Sequence, residues 1–233
     1  MLQSSLPRRA LFTAGGAVAG SIALTAVPAA ASGTRPETPR AALHALLDGN
    51  RRFVAGRAHH PRQGPDRIRE IAAGQDPFAV ILGCADSRVA PELLFDQGIG
   101  DLFDNRVAGN LVDDLLLGSI EYAVEEFAPP LLLVLGHERC GAVSATLNAI
   151  RTGTSAPGHI AALVEALRPI LTPYADAPDG VELGVRANIR AQAEALLAQS
   201  AIIREAVEHG KTAVVGARYD LDTGLVTTIN RYA

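Results

Sequence analysis

The chain of 233 residues carries two cysteines, Cys84 and Cys140, and each stands just past an apolar run that reads as a buried β-strand. Cys84 opens the segment Cys84-Ala-Asp86-Ser-Arg88 after the run 78–83, and Cys140 closes Gly136-His137-Glu-Arg-Cys140 after the run 131–136. His137 and Cys140 are three residues apart, so one turn leaving a strand aims both side chains at one point. Cys84 can join them from a neighbouring strand end. Two thiolates and one imidazole suit zinc by ligand softness, and three protein ligands leave a fourth position for water or a carboxylate. Asp86 is a carboxylate within reach, and Arg88 can hold it off the metal through a bidentate, charge-assisted pair. Zinc lowers the pKa of a bound water to about 7, which makes hydroxide available to attack a small electrophile at neutral pH. Thiolates donate more charge than imidazoles, so activity is expected to rise with pH. Three other readings of the same residues stay open. The cysteines can form a disulfide, they can be inert buried thiols, or Asp86 can close a structural zinc site for good.

The elements that would position this cluster follow from the pattern of apolar runs. Strands are predicted at 78–83, 101–107, 131–136, 212–218 and 225–229, the last a hairpin partner after the Asp222-Thr-Gly224 turn. Helices are predicted from Pro39, where Ala42, Leu43, Leu46, Leu47 and Phe53 share one face, and at 111–126, 142–151 and 185–209. The segment 56–66 reads as loop. Continuous apolar strands alternating with helices predict an α/β fold: a mostly parallel sheet covered by helices, with a C-terminal antiparallel edge strand. Sites in such sheets lie at the carboxyl ends of the strands, where both cysteines fall.

Composition narrows the function classes. Hydrophobic residues make up 48% and charged residues 20%, enough for one packed core and hardly for two. The net charge of −4, the 4% of aromatic residues and the absence of Trp argue against a nucleic-acid binder that works by phosphate neutralisation or base stacking. No apolar run reaches the ~20 residues of a membrane span, so no stable membrane anchor is expected. Of the 21 basic residues only Lys211 is a lysine. Residues 1–31 differ from the rest: Arg8-Arg9, a weakly apolar stretch from Ala14 to Val27, and small residues at Ala29 and Ala31. These are the parts of a twin-arginine-type export signal cleaved near Ala31, which sends the protein to the periplasm or outside the cell. Pro7 and Leu11 depart from the usual pattern. Cleavage removes Arg8 and Arg9 and leaves no basic tail. Residues 32–40, with two prolines, read as a linker, and 41–233 as the catalytic domain.

The motifs together resemble one family. Cys84-Ala-Asp-Ser-Arg-Val89 with Pro91-Glu92, then Gly136-His137-x-x-Cys140-Gly141, is similar to the β-class carbonic anhydrases. Gly49-Asn-Arg-Arg-Phe53, Gly100-Asp-Leu-Phe103, Arg106-Val-Ala-Gly-Asn110, Gly118-Ser-Ile-Glu-Tyr122 and Gly216-Ala-Arg-Tyr-Asp220 fall in family order, so the resemblance covers about residues 41–233. It implies one Zn2+ per chain on Cys84, His137 and Cys140. It implies an Asp86–Arg88 gate, with Asp86 a fourth ligand when closed, and reversible hydration of carbon dioxide to bicarbonate and a proton. It also implies Gln75 as a hydrogen-bond donor to substrate across a dimer interface, and Phe103, Ala108 and Tyr122 as the lining of a small apolar pocket. Ala108 is smaller than the usual Val. The resemblance further implies a homodimer or homotetramer in which the N-terminal helix wraps around the partner. Ile81 stands where a bicarbonate-inhibited subclass carries Trp, so no such inhibition is expected. Two alternatives share the ligand set: a carbon disulfide or carbonyl sulfide hydrolase, and a non-catalytic zinc-binding protein.

Overall fold

The structure, a computed structural model, describes residues 35–233; the export signal, its cleavage site and the start of the linker lie outside the described residues. The helix α1 (Pro39–Val54) begins with Thr38 as its N-cap, whose hydroxyl accepts from the Ala41 N–H, and with Pro39 at its first position. There follow α2 (Pro65–Ile71), β1 (Ala79–Gly83), the single turn α3 (Pro91–Leu94), β2 (Leu102–Arg106), α4 (Asp114–Phe127) and β3 (Leu131–His137). Then come α5 (Gly141–Thr152), α6 (Ile160–Leu171), α7 (Gly180–Gln199), α8 (Ala201–Glu208), β4 (Ala213–Tyr219) and β5 (Val226–Tyr232).

The described strands form one sheet in the order β2-β1-β3-β4-β5, parallel except for β5, which runs antiparallel to β4. All five observed strands overlap the predicted ones. Alternating side chains of each strand feed two apolar layers. Val80, Leu82, Leu132, Val134 and Val214 face the helices α4 to α8. Ala79, Ile81, Leu131, Leu133, Leu135, Val215 and Ala217 face α1 and α3. From β1 the chain steps out to β2, then returns to place β3 on the other side of β1. The strand order therefore reverses between β1 and β3, and their carboxyl ends open the crevice where ligands bind in sheets of this kind. Among the described residues, no helix is long and apolar enough to cross a membrane.

The helices depart from expectation more than the strands do: α2, which begins inside the segment read as loop, and the single turn α3 were not predicted. The span 185–209 is two helices, because Ser200 ends α7, caps α8 by accepting from Ile203 N at 3.1 Å, and donates to Glu121 at 2.6 Å. The helix α6 has no counterpart in the prediction, since Pro169 inside it is a helix breaker by sequence. The helix α1 lays Ala42 and Leu46, both fully buried, on its own protomer's sheet. Asn50 stitches it down, donating to the Leu94 and Gly224 carbonyls and accepting from Val226 N at 2.8 Å.

Gly49 lets α1 approach: a Cβ there would collide with the Phe95 carbonyl oxygen, a backbone atom with little freedom to move. Gly49→Ala is expected to cost about 1–3 kcal/mol by overpacking, a fall of about 2–4 °C in thermal midpoint for each kcal/mol in a domain of this size. Gly74→Ala, where a Cβ meets nothing, should leave the midpoint unchanged in the same thermal scan.

Candidate metal centre and active site

The switch point between β1 and β3 gathers the three chemistry-bearing side chains. Cys84 follows the last residue of β1, His137 is the last residue of β3, and Cys140 is the N-cap of α5. All three are buried, and their ligand atoms lie within 4.8 Å of one another. Both cysteines are free thiols, so the pair is not a disulfide in this fold.

The donors are poised for a cation. His137 Nδ1 donates to the Glu138 carbonyl at 2.9 Å, which fixes the tautomer and leaves Nε2 as the lone-pair donor. Nε2 is buried with no hydrogen-bond partner. In the metal-free protein a hydrogen bond from Cys140 draws the Cys84 thiol down to about 4, despite burial, with His137 and the Gly109 N–H adding to the effect. The charge this places on Cys84, with burial, pushes Cys140 up, although the Ala142 and Val143 N–H groups at the start of α5 favour its thiolate. Burial disfavours charge on His137, but the Cys84 thiolate beside it prevails and raises its pKa. Metal binding displaces thiol protons, so a divalent cation would take the place of the protons on this pair. Two thiols, one imidazole of fixed tautomer and an unpartnered ring nitrogen fit zinc.

Asp86 sits at the rim. Its Oδ1 accepts from Arg88 N and Nε, both at 2.9 Å, and its Oδ2 accepts from the second guanidinium nitrogen at 2.7 Å. Oδ2 is also 3.7 Å from His137 Nε2. The Arg88 guanidinium, aided by the Arg88 N–H, outweighs burial and holds the Asp86 carboxyl well below the usual carboxylate range. The pair is therefore ionised at neutral pH and is lost only as pH falls far into the acid range.

Several holding residues were not singled out by sequence. Arg106 donates to the carbonyls of Cys84 and Asp86 at 3.1 and 2.8 Å and so fixes the loop between them. Gly109 N donates to Cys84 Sγ at 3.4 Å. The turn between β4 and β5 clamps the segment after His137. Leu221 N donates to the Glu138 carboxylate, Glu138 N donates to the Tyr219 carbonyl, and Arg139 makes a bidentate pair with Asp222 at 2.7 and 2.9 Å. Arg106 and Gly109 lie in the Arg106–Asn110 motif, which was the available signal; Glu138 acts largely through its backbone, which has none.

The structure brings Cys84, Asp86, Arg88, His137 and Cys140 together with Ala108, which lies between Val107, whose N donates to Gly83 O, and Gly109. It does not bring Gln75, Phe103 or Tyr122 to them. Gln75 is exposed in the loop before β1, at the amino-terminal end of the sheet. Phe103 pairs in register with Val80, four residues or ~13 Å along the strand from Cys84. Tyr122, 53% exposed on α4, has its ring 6.4 Å from that of Phe103 and 5.8 Å from that of Phe127.

Comparison with known proteins agrees with this geometry. The carbonic anhydrase family profile matches residues 79–226. Carbonic anhydrase 2 of Mycobacterium tuberculosis is 48% identical over 187 residues, 80% of this chain and 90% of that protein. The carbonic anhydrase of Mycolicibacterium smegmatis is 44% identical over 189 residues, 81% of this chain and 92% of that protein. Among solved structures, the β-carbonic anhydrase of Coccomyxa in complex with acetazolamide superposes with a TM-score of 0.63 at 30% identity, covering 81% of this chain and 87% of that one. A tetrameric β-carbonic anhydrase of Sordaria macrospora shares the fold with a TM-score of 0.66 at 24% identity, covering 82% and 98%. With this fold, this ligand set at its switch point and these relatives, the chain belongs to the β class of the carbonic anhydrase family.

Proposed function

We propose that the protein is a zinc-dependent lyase that reversibly hydrates carbon dioxide to bicarbonate and a proton, with Asp86 and Arg88 as its gate. The observation that carries this reading is the ion-paired Asp86 carboxylate, 3.7 Å from the free Nε2 of a buried cluster of two thiols and an imidazole. Zinc, when bound by Cys84, His137 and Cys140, lowers the pKa of water in its fourth position and so supplies hydroxide at neutral pH. Asp86, turned onto Arg88, keeps an ionised acceptor at the rim of the cluster, where it would orient the water that zinc activates. Released from Arg88, the same carboxylate reaches the donor cluster and closes it. Because Arg88 keeps Asp86 ionised throughout the neutral and alkaline range, a rise of activity with pH there does not come from titration of this pair. The same ligands serve a carbon disulfide or carbonyl sulfide hydrolase, and a carbon disulfide assay run in parallel separates the two.

The reading includes a homodimer, the smallest assembly of the homodimer or homotetramer expected, in which Gln75, Phe103 and Tyr122 of one copy complete the site of the other. Two features support it. These residues lie away from the carboxyl ends of the strands that hold their own ligand set, and α4, which carries Tyr122 at 53% exposure, also exposes Leu115 at 86%. Export belongs to the same proposal and rests on the pattern of residues 1–31.

Asp86→Asn keeps the shape of the side chain and removes its charge. It is expected to retain zinc, measured with a chromophoric chelator after unfolding, while kcat/KM for carbon dioxide falls by about 10². A zinc-replete variant with full activity would sink the gate. The shared site is tested by complementation. Gln75→Ala and Cys84→Ser proteins, each impaired alone, are mixed by unfolding and refolding together. Random pairing rebuilds about one intact site in four, so roughly a quarter of wild-type activity returns. A mixture no better than the mean of the separate proteins would place Gln75 outside the site.

A further inference from the structure

The loop 107–112 that delivers the Gly109 N–H to Cys84 Sγ is closed at one end by its own turn, in which Asn110 N donates to the Val107 carbonyl at 3.0 Å, and is otherwise held from outside. Gly109 has φ +81° and Asn110 φ +43°, two successive left-handed residues, and a non-glycine residue stays in that conformation only where its surroundings hold it. The hold comes from α7. Asn188 Nδ2 donates to the Gly109 carbonyl at 2.7 Å and approaches Asn110 Oδ1 at 3.4 Å. One turn on, Gln192 Nε2 donates to Asn188 Oδ1 at 2.9 Å, and Gln192 Oε1 accepts from Val112 N at 2.8 Å. Both amides are buried, at 1% and 5% exposure, on the α7 face that otherwise packs Val185, Ile189, Ala193 and Leu196 into the core.

Apolar residues at 188 and 192 would pack a helix on a sheet without the desolvation of two amides. What the amides add is a fixed position for both ends of one loop, Gly109 at one and Val112 at the other. The loop's own turn bond engages neither the Gly109 carbonyl nor Val112 N, and no side chain at 109 can help. A Cβ there would meet Ala142 Cβ and Leu167 Cδ1, each at 3.2 Å. We propose that Asn188, oriented by Gln192, is a positioning residue for the metal centre: it seats the Gly109 N–H on the Cys84 sulfur and so sets how much charge that sulfur gives to a bound cation. This inference rests on the reading of Cys84 as a metal ligand.

The test uses the full chain loaded with Co2+, whose thiolate-to-metal charge-transfer band reports the electron density on sulfur. Zinc release to a chromophoric chelator and the thermal midpoint of the metal-free protein are followed beside it. In Asn188→Ala the band is expected to move to longer wavelength, because sulfur relieved of its N–H donor is more easily oxidised. Zinc release should quicken by about 10- to 100-fold, the range for loss of an outer partner. Asn188→Ala leaves the Gly109 carbonyl unpaired in the core, so Gln192→Met, which frees Asn188 to turn and releases Val112 N while leaving the Asn188–Gly109 bond available, carries the same test should the first variant not fold. Its shifts should have the same sign and be smaller. A band and a release rate equal to wild type, with the metal-free midpoint lowered, would overturn the proposal and leave the amides a role in folding alone. Wild-type protein that takes up no cobalt would remove the metal centre itself, and the inference with it.

Discussion

Two sulfurs and an imidazole nitrogen packed within 4.8 Å of one another, all out of water, are an arrangement that the apolar core cannot satisfy by itself. The two thiols are driven apart, with negative charge favoured on Cys84 and disfavoured on Cys140. The remaining lone pair on His137 finds no hydrogen-bond partner. A divalent cation resolves all three conditions together, and the buried charge is then paired rather than isolated. The fold supplies the convergence. Only where the order of parallel strands reverses do two adjacent carboxyl ends open a crevice, and β1 and β3 end there with Cys84 and His137.

Around that centre the chain fixes backbone rather than side chains. Arg106 grips the carbonyls of Cys84 and Asp86, the β4–β5 turn holds the peptide whose carbonyl orients His137, and α7 holds the loop that carries the Gly109 N–H. Metal ligands supported in this way keep one orientation whether or not the cation is bound, so little reorganisation opposes its entry. Asp86 is the exception. It is tied to Arg88, a side chain 56% exposed, and a bond to an exposed partner is the one such a site can exchange at low cost.

The centre was legible because its chemistry needs particular residue types, and the runs before Cys84 and His137 were strong enough to place them at strand ends. The five strands were legible for the same reason: buried parallel strands are continuous apolar runs. The helices were less so. Ser200 looks like any polar position within an apolar periodicity until its hydroxyl is seen capping α8, and Pro169 hides the helix that contains it. Asn188 and Gln192 were not singled out, since two amides one turn apart on a helix name no chemistry by themselves. Gln75, Phe103 and Tyr122 were found by resemblance alone. Within one chain they look like a loop residue and two aromatics of ordinary packing.

The central claim is chemical: the cluster at the switch point turns carbon dioxide into bicarbonate. Stopped-flow hydration of carbon dioxide by zinc-quantified protein, from neutral to alkaline pH, tests it most directly. The account predicts rapid hydration that scales with zinc content and rises with pH, while the Asp86–Arg88 pair stays ionised throughout. Zinc-loaded protein that hydrates no carbon dioxide at any pH would contradict it.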